Sequence, residues 1–310
     1  MPLDPFLAEK MHLLDGLPDW GSMQSDPEAV RRFTEFFTDP GEWQMPEVDT
    51  EDRTVPGPHG EVPVRLYRPR RRAADRALLW LHGGGFMGGN LEMPEAHVVS
   101  AELAARSGAL VVSVDYRLAV DGTHYPVPVD DVDATWRWLT ESGWTNSGSV
   151  ALGGASAGAA LALSVALRLR DQGQRLPDGL LLAYPFAHFP TPSLDTASAE
   201  QMSVLPSLMR FTPESIEHMV RNYVGRISAL PAYAMPGAAD LTGLPPTSLV
   251  LAEYDDLRPS GELLRRQMEE TGVPVETYFS PGMTHGHLNR GPSLGEVDRS
   301  LDFFARALSR

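Results

Sequence analysis

Four short clusters in this chain have the residue types and order that acyl-transfer chemistry requires. The first is Gly154-Ala155-Ser156-Ala157-Gly158, between the apolar run SVALGG (149–154) and an alanine-rich helical pattern. A serine hydroxyl must be lifted out of its sheet to meet both a base and a substrate, which needs a tight strand-to-helix turn. Gly154 and Gly158 permit the bend and a close approach of helix to strand, so Ser156 would project at the carboxyl end of the sheet with a helix N-terminus behind it. The plainer reading is a small-residue helix start packed on a strand. The flanking strand and helix patterns favour a nucleophile.

The second cluster, His82-Gly83-Gly84-Gly85, directly follows ALLWL (77–81). Acyl transfer builds negative charge on a carbonyl oxygen, and a preorganised backbone N–H in a dry site stabilises it by about 3 kcal/mol. Glycines leave those amides unshielded, so Gly83 and Gly84 are the expected donors, completed by the N–H of Ala157; His82 is expected to fix the loop. The stretch Gly83 to Gly88 also satisfies G-x-G-x-x-G, with Asp115 at the end of the next strand pattern, so a dinucleotide site competes. That site needs a helix starting within the glycines, whereas here GGNLEM intervenes and Pro94 is the expected helix start. Asp115-Tyr116-Arg117 then reads as a polar network bracing the loop.

A nucleophilic serine needs a base, and the base an orienting acid. Asp255 ends the strand pattern TSLVLAEYD, and His285 lies in the loop after the following one, giving the Ser–Asp–His order of the α/β-hydrolase fold. Asp256 competes with Asp255 for the acid's place; Asp255 is the choice, with Asp256 facing solvent or bonding the loop. Glu253, earlier in the strand, should face elsewhere. His285-Gly286-His287 would suit a metal only with further ligands close by, and no such cluster is present, so no metal is expected.

These residues need elements to hold them. Residues 1 to about 45 read as short helices, with Asp26 as N-cap and Pro27 in the first turn of DPEAVRRFTEFF. A Gly/Pro/His turn within TVPGPHGEVPVRLYRP predicts a hairpin. Beyond it, apolar runs at 77–81, 109–116, 149–154, 179–186, 247–255 and 275–281 alternate with amphipathic helical patterns, which implies a mostly parallel sheet covered on both faces. The alternation breaks between Ala187 and Pro246, where one or two helices and no strand are predicted, as for an insertion over the sheet.

Composition narrows the function classes. With 310 residues and 42% hydrophobic content the chain can bury a substantial core. A net charge of −15, with scattered arginines, argues against a nucleic-acid partner, and the basic run Arg68 to Arg72 reads as a solvated turn. The absence of cysteine removes disulfides, thiolate metal sites and cysteine nucleophiles. The acidic, proline-containing N-terminus and the lack of any membrane-length apolar run lead to the expectation of a soluble, cytoplasmic protein without stable membrane insertion.

Taken together, HGGGFMGG, DYRLA, GGASAGA, EYDDLR and MTHGH resemble the hormone-sensitive-lipase-like esterases, the bacterial family IV carboxylesterases. The resemblance spans about residues 54–310. It implies an ester hydrolase without a cofactor, acting on a small-molecule ester, built on a mixed sheet of about eight strands and compatible with a homodimer. It also implies a helical cap, which divides the chain into an N-terminal cap segment (1–50), a core in two parts (51–186 and 247–310) and a cap insertion (187–246). By motif, Ser156, Asp255 and His285 would be catalytic and Gly83, Gly84 and Ala157 would form the oxyanion hole. Three departures stand out: Asp256 where the family usually has proline, His287 where an aromatic usually follows His-Gly, and VDGTHYPVP after DYRLA in place of a Pro-Glu-His run.

The chemistry expected is a two-step acyl transfer on short- to medium-chain esters, with His285 first taking the proton of Ser156 and later activating water. Phe33, Phe36, Phe37, Trp43 and the stretch from Met202 to Met209 are candidate cap walls; Met87, Tyr184 and His287 join Phe33, Phe37 and Met209 as candidate substrate contacts. An amidase, formamidase or acyltransferase would use the same triad, and a ligand-binding module would use the pocket without turnover.

Overall fold

Runs of valine and leucine too continuous to leave either face in water form the parallel heart of a single sheet. The computed structural model describes residues 1–18, 20–23, 25–70, 75–144 and 148–310. Its strands are β1 (Val48–Gly57), β2 (Gly60–Pro69), β3 (Arg76–Leu81), β4 (Leu110–Val114), β5 (Ser149–Ala155), β6 (Leu180–Ala183), β7 (Thr247–Tyr254) and β8 (Val275–Thr284). They lie in the order β1-β2-β4-β3-β5-β6-β7-β8. β1–β2 and β2–β4 are antiparallel, and every later pairing is parallel.

The hairpin starts earlier than its apolar texture suggested. β1 begins at Val48, inside the segment assigned to N-terminal helices, because an edge strand can carry Asp49, Glu51, Asp52 and Arg53 toward water while Val48 and Val55 face inward. Of the basic run, Arg68 and Arg70 pair with Glu51 and Asp49; Arg71 and Arg72 lie outside the described residues.

The helices are α1 (Pro5–Lys10), α2 (Trp20–Met23), α3 (Pro27–Phe37), α4 (Pro94–Ser107), α5 (Val127–Glu141), α6 (Ala157–Asp171), α7 (Thr196–Met202), α8 (Pro213–Val224), α9 (Arg258–Glu270) and α10 (Gly295–Leu308). Strand alternation feeds two cores. Leu79 and Leu81 of β3 pack with residues of α5, α6 and α9, while Leu78 and Trp80 pack with residues of α4 and α10. The Asp26 carboxylate accepts the N–H groups of Glu28 and Ala29 at 3.0 and 3.2 Å, so α3 begins where its sequence signals place it.

The segment between β6 and β7 carries α7 and α8 and, among its described residues, no strand. α8 is fastened to the glycine loop: the Tyr223 ring stacks on Phe86 at 3.9 Å, and Asn222 Nδ2 lies 3.2 Å from Met87 Sδ. The N-terminal segment is fastened by Arg290, which is buried beneath it. Its guanidinium reaches Asp39 at 3.0 Å and the Phe36 carbonyl at 2.9 Å, and lies over the Phe36 and Phe37 rings. No helix among the described residues is long and apolar enough to cross a membrane.

Candidate active site

The chemically equipped residues converge at the carboxyl ends of the parallel strands, where an open α/β sheet forms its crevice. β5 ends at Ala155, and Ser156 turns the chain into α6 with φ 53° and ψ −117°, a region non-glycine residues occupy at a cost of about 1–3 kcal/mol. The turn is held by Ser156 N–H donating to the Ala183 carbonyl at 2.9 Å and by Phe186 N–H donating to the Ser156 carbonyl at 3.2 Å. The turn fits only because Gly154 and Gly158 have no side chain. A Cβ on either would lie under 3.0 Å from backbone atoms of Leu81.

β7 delivers Asp255 and β8 delivers His285. His285 Nε2 is 2.9 Å from Ser156 Oγ, and its Nδ1 is 2.8 Å from Asp255 Oδ2. Asp255 Oδ1 accepts the Leu257 N–H at 2.7 Å, so the carboxylate is held from behind. Burial works to lower the His285 pKa, but the charge and hydrogen bond of Asp255 outweigh it and raise the imidazole above its ordinary 6.5. Ser156 is 6% exposed, so any substrate reaches it through a confined opening.

The two competing acids are thereby sorted. Asp256 is turned the other way, onto Arg210 and the Phe211 N–H. Glu253 accepts the Gly282 N–H at 2.7 Å and Gln201 Nε2 at 2.9 Å, on the N-terminal side of the loop.

The glycine loop differs from its sequence reading in one respect. The Gly83 N–H already donates to Glu95 Oε2 at 2.6 Å, so this amide is occupied. The N–H groups of Gly84, Gly85 and Ala157 carry no hydrogen bond among the described residues. The available donors therefore sit one residue further along than Gly83 and Gly84. Glu95, on the first turn of α4, escaped the sequence reading because a lone acidic residue there looks like ordinary helix-end charge. It is 2% exposed, and it also accepts the Tyr184 hydroxyl at 2.5 Å and Asn289 Nδ2 at 3.2 Å. Burial pushes its carboxyl above the usual range against the pull of those donors.

Of the expected braces, His82 and Tyr116 hold the loop, while Arg117 pairs with Asp131 instead. His82 Nδ1 lies 2.7 Å from the Gly83 carbonyl, and the ring stacks at 4.4 Å on Tyr116, whose hydroxyl donates to the His82 carbonyl at 2.8 Å. Burial pushes the His82 pKa down to about 4, so the ring is neutral and unsuited to general-base work at neutral pH. Met87 and Gly88 N–H groups fold back on the Gly84 carbonyl at 3.0 and 2.9 Å, closing the loop before α4 starts at Pro94. The helix that follows the glycines starts only at Pro94 rather than within them, which removes the dinucleotide reading.

The expected substrate contacts fare unevenly. Tyr184 flanks His285 with ring centroids 4.9 Å apart, but it is 1% exposed and its hydroxyl is spent on Glu95; it supports the site from beneath. His287 was expected at the pocket. Its ring is instead buried against Tyr184 and directed at Ser280 and Ser300, with Nε2 3.1 Å from Ser300 Oγ, and burial pushes its pKa down to about 3. The one-residue step from His285 through Gly286 (φ 72°) turns the two imidazoles to different neighbours. Phe33, Phe37 and Met209 gather with Leu13, Leu14 and Phe36 in a small core that joins the N-terminal helices to the insertion. Met87 lies against α8. The residue that sequence reasoning missed here is Phe211, whose ring stands edge-on to His285 at 4.7 Å. No motif surrounds it.

A family model described as "alpha/beta hydrolase fold" matches residues 78–289. The chain belongs to this family, within its hormone-sensitive-lipase-like branch, and is a carboxylic ester hydrolase by class. Among its relatives is "Esterase LipI" of Mycobacterium tuberculosis, 33% identical over 92% of this chain and 88% of the relative. "Carboxylesterase NlhH" of the same species is 34% identical over 99% and 96%. The solved structure of a hyperthermophilic esterase from the archaeon Pyrobaculum calidifontis superposes with a TM-score of 0.79 at 30% identity, covering 100% of this chain and 98% of that one.

Proposed function

We propose that this protein hydrolyses short- to medium-chain carboxylic esters through an acyl-enzyme on Ser156. The observation that carries the reading is the unbroken hydrogen-bonded chain from Ser156 Oγ through the His285 ring to Asp255, assembled from three separate strand ends. His285 takes the Ser156 proton as the hydroxyl oxygen attacks the ester carbonyl, and Asp255 holds the imidazole in its tautomer and offsets the charge it gains. The N–H groups of Gly84, Gly85 and Ala157 receive the negative oxygen of the tetrahedral intermediate, with Gly83 anchoring the loop to Glu95. Its collapse breaks the ester C–O bond as His285 returns the proton to the leaving alcohol. Water, deprotonated by the same imidazole, then cleaves the acyl-serine and releases the acid.

The N-terminal helices and the segment 187–246 act as the cap over these strand ends. Its joined core of Phe33, Phe36, Phe37, Leu208 and Met209 makes the two pieces one unit, which limits the size of acyl chain admitted.

The test is hydrolysis of p-nitrophenyl esters from acetate to palmitate by wild type and Ser156→Ala, with fluorophosphonate labelling of both. Turnover that falls off toward long chains, lost with the label in the variant, supports the reading. Equal activity in the two proteins would sink it, and p-nitroanilide counterparts run alongside separate ester from amide preference.

A further inference from the structure

Asp256 is an acidic residue placed next to the triad acid yet taking no part in the hydrogen-bonded chain. Its carboxylate grips Arg210 from both oxygens, with Oδ2 2.9 Å from Nε and Oδ1 2.9 Å from Nη2, and Oδ2 also accepts the Phe211 N–H at 2.8 Å. Arg210 is further tied to the Met202 carbonyl at the end of α7, at 3.0 Å. The Asp256 side chain is 9% exposed and that of Arg210 28%, so the forked pair is shielded from salt more than a surface ion pair is. These contacts hold Arg210 and the amide of Phe211, whose ring meets His285 edge-on.

The chemistry gives that ring a specific neighbour. His285 must pass a proton to the departing alcohol, so the alcohol part of an ester lies against this imidazole. Two rings stand edge-on to the imidazole, Tyr184, which is buried, and Phe211, which is half-buried. We propose that Asp256 and Arg210 form a strap that holds Phe211 beside His285 and thereby sets the size of the alcohol group the site accepts. The proposal rests on the ester-hydrolase reading of Ser156, His285 and Asp255.

Phenyl acetate and 1-naphthyl acetate share an acyl group and have leaving groups of similar acidity, differing in one fused ring. The readout is the ratio of kcat/KM for the naphthyl over the phenyl ester. Loss of folded enzyme, or a weaker triad, scales both esters alike and leaves the ratio unchanged. Asp256→Asn, Arg210→Gln and Phe211→Ala are each expected to raise it by about threefold or more. The Asp256→Asn/Arg210→Gln double variant should go no further than either single one, since both break the same pair. A smaller change in either strap variant, or single effects that multiply in the double variant, overturns the strap. A wild type inert on both esters would instead sink the hydrolase reading. The strap would then be read from hydrogen exchange of amides 203–212, where rates in Asp256→Asn and Arg210→Gln equal to wild type overturn it and faster rates uphold it.

Discussion

Glu95 Oε2 accepts the Gly83 N–H at 2.6 Å, and through its other oxygen the same carboxyl reaches Tyr184 after β6 and Asn289 beyond the His285 loop. One buried acid thus ties the glycine loop to the two segments flanking His285. The next two amides are left without a hydrogen bond among the described residues. Glu95→Ala should lower kcat for p-nitrophenyl acetate by about ten- to a hundredfold with KM little changed, somewhat less than deleting an oxyanion donor outright. Steady-state kinetics decide it; an unaltered kcat would show that the loop holds itself.

The raised His285 pKa has a sign that pH can read. The imidazole works as a base only when neutral, so kcat/KM should fall on the acid side with a midpoint above the ordinary value of about 6.5. Asp255→Asn removes the charge that raises it, so the limb should move to lower pH while the plateau drops by about 10³–10⁴. The same shift makes a stability contribution that is complete below pH 6.5 and is lost as pH rises through the higher folded-state value. A limb at the same pH in both proteins would assign the titration to another group.

Gly158 is required by its surroundings. A Cβ there would press on the Leu81 and His82 carbonyls, both part of rigid backbone, so Gly158→Ala should cost about 3 kcal/mol or prevent folding. At Gly88 a Cβ would meet nothing nearer than the Gly84 carbonyl oxygen at 3.6 Å, and Gly88→Ala should change stability by about 0.5 kcal/mol at most. Urea denaturation compares the pair, and equal midpoints would refute the close approach.

Arg290 clamps the N-terminal segment from below. Its replacement by alanine removes the cation facing Asp39, whose other oxygen keeps the Gly291 N–H, and uncovers the faces of Phe36 and Phe37, which should cost about 3 kcal/mol and loosen α3. Limited trypsin digestion would detect this as faster cleavage at Arg31 and Arg32 while Ser156 stays reactive to fluorophosphonate. Cleavage at the wild-type rate would mean that the Leu13, Leu14 and Phe36 core suffices.

The sequence by itself determined the sheet and the chain order of the residues that meet at its strand ends. Short valine- and leucine-rich runs bounded by turn residues read as doubly covered strands, and a serine between glycines at a strand end has few ways to fold. Short-range signals such as Asp26 before Pro27, or Pro94 after the glycine loop, ended up where local sterics put them. What only the tertiary structure decided was how side chains are shared between segments far apart in the chain. Glu95 takes the Gly83 amide, so the free donors shift by one residue. His287, two residues from His285, turns to Ser280 and Ser300 because Gly286 redirects the chain. Asp256 faces Arg210 across 46 positions, and Phe211 meets His285 across a still longer span of chain that no period or spacing encodes. Periodicity reports which face a residue occupies within its own element, while partners across elements are set by how the layers pack.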